Sequence, residues 1–540
     1  MARRTIVRKN RYFDSVFLMR VARRIAAQPG IRDASALQAT EANRKVLIGM
    51  GYGDDGRDAE FSASGPNDLV LALEGEKAAV EAVAADPDSW LSQGSVASAG
   101  PGPMAREPRS VREAIAGRPD CSVAVISVPG EHAVREARAA LREGLHVFLF
   151  SSNVSVDDEL ALKAEARDRG LIVMGPDCGT AFLGGAGVGF ANAVRRGPIG
   201  IVGSSGTGMQ EFSCLVHQAG SGISNGIGTG SRDLADAIGG ISTMTGIDAL
   251  EADPATKVIS LLCKPPGKGV TARLVERLRR CAKPIVLCPL GAEPDSFQGV
   301  DRPAGLPGSG VGGEVRTAST IDEAVGLALA AVSAGEAVPP REDASLQDIA
   351  SARIGDMRPA QRYIRGLFAG GTLCYQSQAI FRSAGLVVHS NAPLQGMLGL
   401  PDPLESCGSC FVDMGAEIFV KGRPHPMIDA SLRMHRLVQE GNDPAVALIL
   451  LDFILGAISS RDPVGDLLGA IRSAQEAARR RGGHLCVVAS VCGTDEDAQG
   501  LQAQKRALAE AGVLVFPSNA KAAGFCREVM LALPDRQEVG

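Results

Sequence analysis

A single local unit limits what this chain can fold into: an apolar strand that runs into small residues and then directly into a helical pattern. Residues 198–211 read Pro-Ile-Gly-Ile-Val-Gly-Ser-Ser-Gly-Thr-Gly-Met-Gln-Glu. Small residues let the backbone approach an anion, the hydroxyls of Ser204, Ser205 and Thr207 can donate, and the amides of the next helix point at whatever is bound. Ser204, Ser205, Gly206, Thr207 and Gly208 therefore form a phosphate-loop candidate, with a ligand-free strand-to-helix turn as the alternative. The unit recurs. Residues 367–373, Leu-Phe-Ala-Gly-Gly-Thr-Leu, again pass from apolar residues through Gly370, Gly371 and Thr372 into a helical pattern. Further on, residues 247–262 and 437–451 each combine a helix, an Asp-Pro break and an apolar strand. A repeat this long reads as two related α/β halves.

Elsewhere, strands of continuous apolar character alternate with helical patterns, as in 121–130, 145–150 and 171–176. That pattern predicts parallel sheets covered on both faces, with ligands at the strand carboxyl ends. The organisation expected is a small α+β domain over 1–91, a Gly/Ser/Pro-rich linker over 92–118 and a Rossmann-like domain over 119–196. A first flavodoxin-type domain over 197–335, a linker over 336–358 and a second such domain over 359–540 complete it. A chain of 540 residues has ample material for several cores.

A net charge of -5 argues against a nucleic-acid partner. The basic start, Met1-Ala-Arg-Arg-Thr-Ile-Val-Arg-Lys, is not followed by the apolar core of a signal peptide, and no run is long enough to span a bilayer. With twelve scattered cysteines the expectation is a cytoplasmic protein of reduced thiols, without a membrane partner. Cys407 and Cys410, the close pair, lack neighbouring ligands and read as ordinary thiols, so no metal is expected.

Three further groups carry polar chemistry. Arg423, His425 and Asp429 share a Pro-flanked segment suited to holding a carboxylate or phosphate and to moving a proton, or else to an internal Arg423–Asp429 pair. Arg232 is Gly-flanked, and Lys264 ends a predicted strand, where α/β sheets bind ligands. Glu211 stands just behind the main loop, placed either to orient a nucleophile or to cap.

At this point the motifs resemble a known family. Residues 172–178 (Ile-Val-Met-Gly-Pro-Asp-Cys), 200–211, 226–230 and 253–257 are similar to the α subunit of succinyl-CoA synthetase, and 411–415 and 453–458 to the ligase domain of its β subunit. A chain that joins these behind a small N-terminal domain, with Gly-Arg-Pro-His-Pro-Met-Ile-Asp at 422–429, resembles the FdrA family. The resemblance implies Rossmann-like and flavodoxin-like parallel-sheet domains of the succinyl-CoA synthetase type. It also implies phosphate loops at 204–208 and at 456–461, the latter with Gly456, Ala457, Ser459 and Arg461.

The departures narrow the activity. The relatives carry a phosphohistidine in a Gly-His-Ala-Gly stretch, where this chain has Leu290-Gly-Ala-Glu-Pro-Asp and no histidine between His217 and His389. The opening strand of the coenzyme A domain and an ATP-grasp domain are also missing. The resemblance then implies carbamoyl transfer between oxamate and phosphate in purine and ureide catabolism, by an oligomer with two partner subunits. Phosphate or carbamoyl phosphate would be a substrate and no cofactor would be tightly bound. The alternatives are an ADP-forming acyl-CoA synthetase subunit, using coenzyme A and ATP, and a non-catalytic scaffold or regulatory subunit.

Overall fold

The structure, a computed structural model, describes residues 2–11, 13, 15–49, 51–53, 59–92, 108–292, 294–297, 300, 313–333, 354–355, 357–420 and 423–533. Most of both expected linkers, 93–107 and 336–353, lies outside the described residues, although 111–117 within the first forms a helix. The chain divides into two compact units, one of residues 1–106 with 415–429 and one of 107–414 with 430–540. The first unit is built on an antiparallel sheet in the order β1 (Ala2–Arg8), β3 (Leu69–Gly75), β2 (Ile31–Gln38). One face of its apolar central strand packs on Leu18, Val21 and Ile25 of the helix Ser15–Ala26.

The second unit opens with three parallel strands, β4 (Val123–Ile126), β5 (His146–Leu149) and β6 (Val173–Met174), joined by the helices Gly130–Arg142 and Val156–Asp168. A seven-stranded sheet follows. It holds β7 (Thr180–Leu183), β8 (Ala186–Gly189), β9 (Arg196–Gly203), β10 (Ile223–Gly228), β11 (Val258–Cys263), β12 (Ile285–Pro289) and β13 (Val315–Thr317). A second seven-stranded sheet holds β14 (Tyr363–Phe368), β15 (His389–Ser390), β16 (Leu398–Gly399), β17 (Cys410–Asp413), β18 (Val446–Ile454), β19 (Cys486–Cys492) and β20 (Leu514–Phe516). Their cores run β13-β12-β11-β9-β10 and β20-β19-β18-β14-β17. Both are the flavodoxin-like order, whose strand reversal beside the first strand opens a crevice at the carboxyl edge. The α/β architecture and the two related halves expected from the repeat are thus both present.

The halves meet through equivalent residues. The helix Gly206–Gln218 follows β9 and the helix Gly371–Ser383 follows β14, with Ser205 and Gly370 at the cap positions. The Ser205 hydroxyl bonds the hydroxyl of Thr372. In the mirrored contact, a side chain built at Gly370 would meet Cβ of Thr207 at 3.1 Å. The sixth residues correspond too. Glu211 Oε1 accepts the N–H of Asn519, which opens the helix Asn519–Ala532, at 2.9 Å. Gln376 Oε1 accepts the N–H of Ile321, which opens the helix Ile321–Val332, at 2.8 Å. Contacts of this reciprocal kind define an isologous interface, here inside one chain.

The pair Glu211 and Gln376 differs in charge. Glu211 is 2% exposed, and burial pushes its carboxyl up from 4.5 to about 7, with the Asn519 N–H opposing the rise and Asp322 adding to it. A carboxyl whose pKa is higher folded than unfolded contributes stability that is complete below the unfolded value and is lost as pH rises through the folded one. Stability to urea should therefore fall between pH 4.5 and about 7, by a contribution on the order of 3 kcal/mol from this group. Glu211→Gln, which copies Gln376, should flatten that part of the profile. An unchanged slope in the variant would assign the titration to another group.

Candidate functional site: two helix starts, one open and one filled

The first loop lies at the carboxyl edge of β9. The Ser204 N–H donates to the carbonyl of Leu262 at 3.1 Å, and the Ser205 hydroxyl accepts from the N–H of Gly208 at 3.3 Å. A side chain at Gly206 would meet the Thr180 hydroxyl at 3.0 Å. The amides of Gly206 and Thr207 belong to the first turn and so have no acceptor within their helix. Hydroxyls of Thr180, Ser205 and Thr372 surround this start, and no carboxylate is bonded to it among the described residues.

In the second half the same positions hold acids. Gly228 of β10 pairs with Gly203, the last residue of β9, and Asp413 of β17 pairs with Phe368, the last residue of β14. On the opposite flank Leu262 pairs with Gly203, whereas Asp452 follows the Leu451–Leu367 pair. Asp452 is fully buried and accepts the N–H groups of Ala369 and Gly370, each at 2.7 Å. It also pairs with buried Arg433 at 2.9 Å. A side chain at Gly371 would stand 2.5 Å from the Asp413 carboxylate. The expectation that Gly370, Gly371 and Thr372 bind phosphate is thereby corrected: internal carboxylates already occupy this helix start and would repel a second anion. Thr372 serves the first loop instead, through Ser205.

The segment 456–461 is corrected in the same sense. The Gly456 N–H donates to Gln499 at 3.3 Å and that of Ala457 to the carbonyl of Ala191 at 2.9 Å. Gly456 has φ of 124°, and a side chain there would meet the Ala191 carbonyl at 2.7 Å, so only glycine fits. The following helix, Pro463–Arg480, is capped by Asp462 through Gly465 and by Gln504 through Val464. Arg461 is exposed, and the Ser459 hydroxyl is buried without a partner among the described residues. The segment does come alongside the first loop, since Gln210 bonds Asn192, which in turn holds the carbonyl of Leu455.

Other expected site residues have structural duties. Glu211 accepts the first N–H of the Asn519–Ala532 helix, which is the capping alternative, although the helix it caps is not its own. Arg232 donates to Glu159 at 3.0 Å and to the carbonyl of Val154 at 2.8 Å. Glu159 also pairs with Lys163, which reaches Asp233 at 2.7 Å in a fully buried network, so Arg232 is held by the fold rather than offered to a substrate. Arg423, His425 and Asp429 belong to the unit built on the N-terminal sheet, whereas residues 204–208 belong to the other. There the Arg423 Nε donates to Asn43 at 3.3 Å, and His425 Nδ1 accepts the N–H of Met427 at 3.3 Å. Gly422, beside them, lies outside the described residues. Lys264 is half-buried at the end of β11, its ammonium 5.3 Å from the centre of the Tyr375 ring. Sequence reasoning missed Thr180, Asp413 and Asp452. Aligning the Asp253-Pro254 and Asp443-Pro444 breaks sets Leu262 against Asp452 and could have found the last of these.

Comparison with known proteins now defines the class. Residues 367–529 match the CoA-ligase family, and residues 1–107 match the heavy metal-associated domain of AllF. The chain belongs to the succinyl-CoA synthetase-like family that includes YahF of Escherichia coli (strain K12), described as an uncharacterized protein, with which it is 38% identical over 535 residues, 98% of each chain. Solved structures with a similar arrangement include the apo dinucleotide-forming acetyl-coenzyme A synthetase 1 of Ca. Korarchaeum cryptofilum, at 16% identity and TM-score 0.28 over 76% of this chain and 83% of that one. The ATP citrate lyase of Methanothrix soehngenii in complex with citrate and coenzyme A is similar at 13% identity and TM-score 0.31, over 78% and 84%. With superpositions this loose, the family rests on the sequence matches. The heavy-metal label does not extend to the donors: residues 1–107 contain neither Cys nor His, the usual soft and borderline ligands. No group of three or more His, Cys, Asp or Glu suited to a metal occurs among the described residues, and none of their helices is long and apolar enough to cross a membrane.

The filled helix start generates a stability test. Asp452→Leu should destabilise the protein by about 3–5 kcal/mol, because Arg433 is left charged and buried without a counter-ion. Adding Arg433→Met should recover much of the loss. Urea denaturation of both variants checks this, and a double variant as weak as the single one would show that the pair is not the source of the cost.

Proposed function

We propose that this chain is a subunit of an acyl-CoA synthetase-type enzyme whose reaction passes through a phosphoric–carboxylic anhydride, the phosphate half being held at residues 204–207. One observation carries this reading: of two equivalent helix starts, one is filled by Asp452 and the other is lined by hydroxyls. Amides without a helical acceptor at a helix start stabilise the charge that gathers on a phosphate as it leaves or attacks. Carbamoyl phosphate is the anhydride we favour, exchanging its carbamoyl group with oxamate alongside two partner subunits. The support is the resemblance to FdrA-type proteins and the Leu290-Gly291-Ala292 sequence where the synthetase relatives carry their phosphohistidine. Neither a thiol carrier nor a histidine relay is needed for that exchange.

A second reading is favoured by the CoA-ligase match over 367–529. In an ADP-forming acyl-CoA synthetase subunit, an acyl phosphate would take the same place and the coenzyme A thiol would be the acceptor. The two readings share the loop and differ in the acceptor, so one pair of assays separates them. Carbamoyl phosphate with oxamate should give carbamoyl transfer by the reconstituted complex under the first. Under the second, ATP, coenzyme A and a carboxylic acid should give a thioester.

Calorimetry with inorganic phosphate tests what both share. The wild-type protein should bind, and Gly206→Val, whose Cβ would stand 3.0 Å from the Thr180 hydroxyl, should weaken binding at least about tenfold by closing the backbone to the anion. Equal affinity in the two proteins would reduce the loop to a turn.

A further inference from the structure

Beside the open loop stand two opposite charges that attract but do not touch. Asp177 lies in the turn after β6 with φ of 56°, a left-handed conformation uncommon for residues other than glycine and concentrated at functional sites. The turn is held firmly. The Asp177 N–H donates to the carbonyl of Ser151 at 3.0 Å, and Gly230 packs so closely that a side chain there would meet the Pro176 carbonyl at 2.4 Å. Two and three residues on, Gly179 and Thr180 bear directly on Gly206. Lys264 arrives on the opposite flank, two residues beyond Leu262, whose carbonyl receives the Ser204 N–H. Asp177 and Lys264 therefore each stand two residues from a direct contact with the loop.

The carboxyl itself is poised rather than tied. The Ser231 hydroxyl donates to Asp177 Oδ2 at 3.0 Å, and no other donor bonds the carboxyl among the described residues. Lys264 and Arg232 act on it electrostatically, yet neither forms an ion pair with it within 4.0 Å. Arg232 is engaged by Glu159. Lys264 makes only its contact with Tyr375 among the described residues. Asp177 is exposed, although the protein around it hinders hydration of its charge. That desolvation raises its pKa, while Ser231, Arg232 and Lys264 lower it and Glu159 adds to the rise.

We propose that Asp177 is the proton acceptor of the acyl-transfer step, facing Lys264 across the space where a substrate with its phosphate on residues 204–207 would lie. The proposal rests on the phosphate reading above. In the step, the N–H or S–H acceptor attacks the carbonyl carbon of the anhydride and a C–N or C–S bond forms. The C–O bond to phosphate breaks, phosphate leaves with the bonding pair, and the acceptor's proton passes to the Asp177 carboxylate and from there to phosphate or water. The ammonium of Lys264 offsets the negative charge of the departing phosphate.

Asp177→Asn tests the assignment with little risk to folding, because asparagine tolerates the left-handed conformation and keeps an acceptor for Ser231. In the reconstituted complex, inorganic phosphate should bind the variant within about threefold of wild type while kcat falls on the order of 100-fold, the usual scale for losing a general base. The acid limb of the wild-type kcat profile, which marks protonation of the carboxylate, should disappear. Lys264→Met should weaken phosphate binding and keep the acid limb. A variant Asp177→Asn that turns over within about threefold of wild type, or that loses phosphate binding along with activity, overturns the assignment while leaving the phosphate reading intact. Failure of the wild-type protein to bind phosphate brings down both.

Discussion

Two helix starts pressed together set the electrostatic problem that the rest of the second unit answers. Each start carries partial positive charge from its unpaired amides, and here the Ser205 and Thr372 hydroxyls bring the two within a hydrogen bond of each other. Like ends of two dipoles repel, so at least one needs a counter-charge. Asp452 supplies it on one side, deeply enough buried that Arg433 must in turn balance it, and Asp413 stands beside Gly371. The other start has Leu262 and Gly228 at the equivalent positions, so neither flank offers it a carboxylate.

A symmetric scaffold thus carries an asymmetric site. The reciprocal contacts of Ser205 with Thr372, Gly370 with Thr207, Glu211 with Asn519 and Gln376 with Ile321 hold the two sheets as a dimer would be held. Specialisation then needs few changes, since a leucine or an aspartate at one strand position decides whether the adjacent amides are open or occupied. The buried Glu159–Lys163–Asp233 network uses the same economy of pairing to fix the loop that carries Ser231 and Arg232.

The N-terminal unit illustrates how fold and chemistry separate. Residues 1–107 match the heavy metal-associated domain of AllF, yet without Cys or His among them the ligand chemistry does not follow from the match. The Pro-flanked segment with Arg423 and His425 groups with this unit rather than with the sheets it interrupts in the chain. Its charged residues are engaged locally, Arg423 with the Asn43 carboxamide among them.

By itself the sequence determined the alternation of buried strands and helices, the doubling of the strand–turn–helix unit and the position of the turn at 204–208. These are local consequences of apolar runs, small residues and hydroxyl caps, and they were legible because each depends on neighbours in the chain. What the tertiary structure alone decided was which turn stays open. Asp452 lies in sequence within an apolar run, and Arg433 and Thr180 carry no signal there that ties them to either turn. Only sheet register places Asp452 under the amides of Ala369 and Gly370, and only helix packing sets Thr372 against Ser205. The same holds for Glu211, whose acid reads as a cap on its own helix and caps another some three hundred positions away. Charge at a site is a sum over spatial neighbours, and most of those neighbours are remote in sequence.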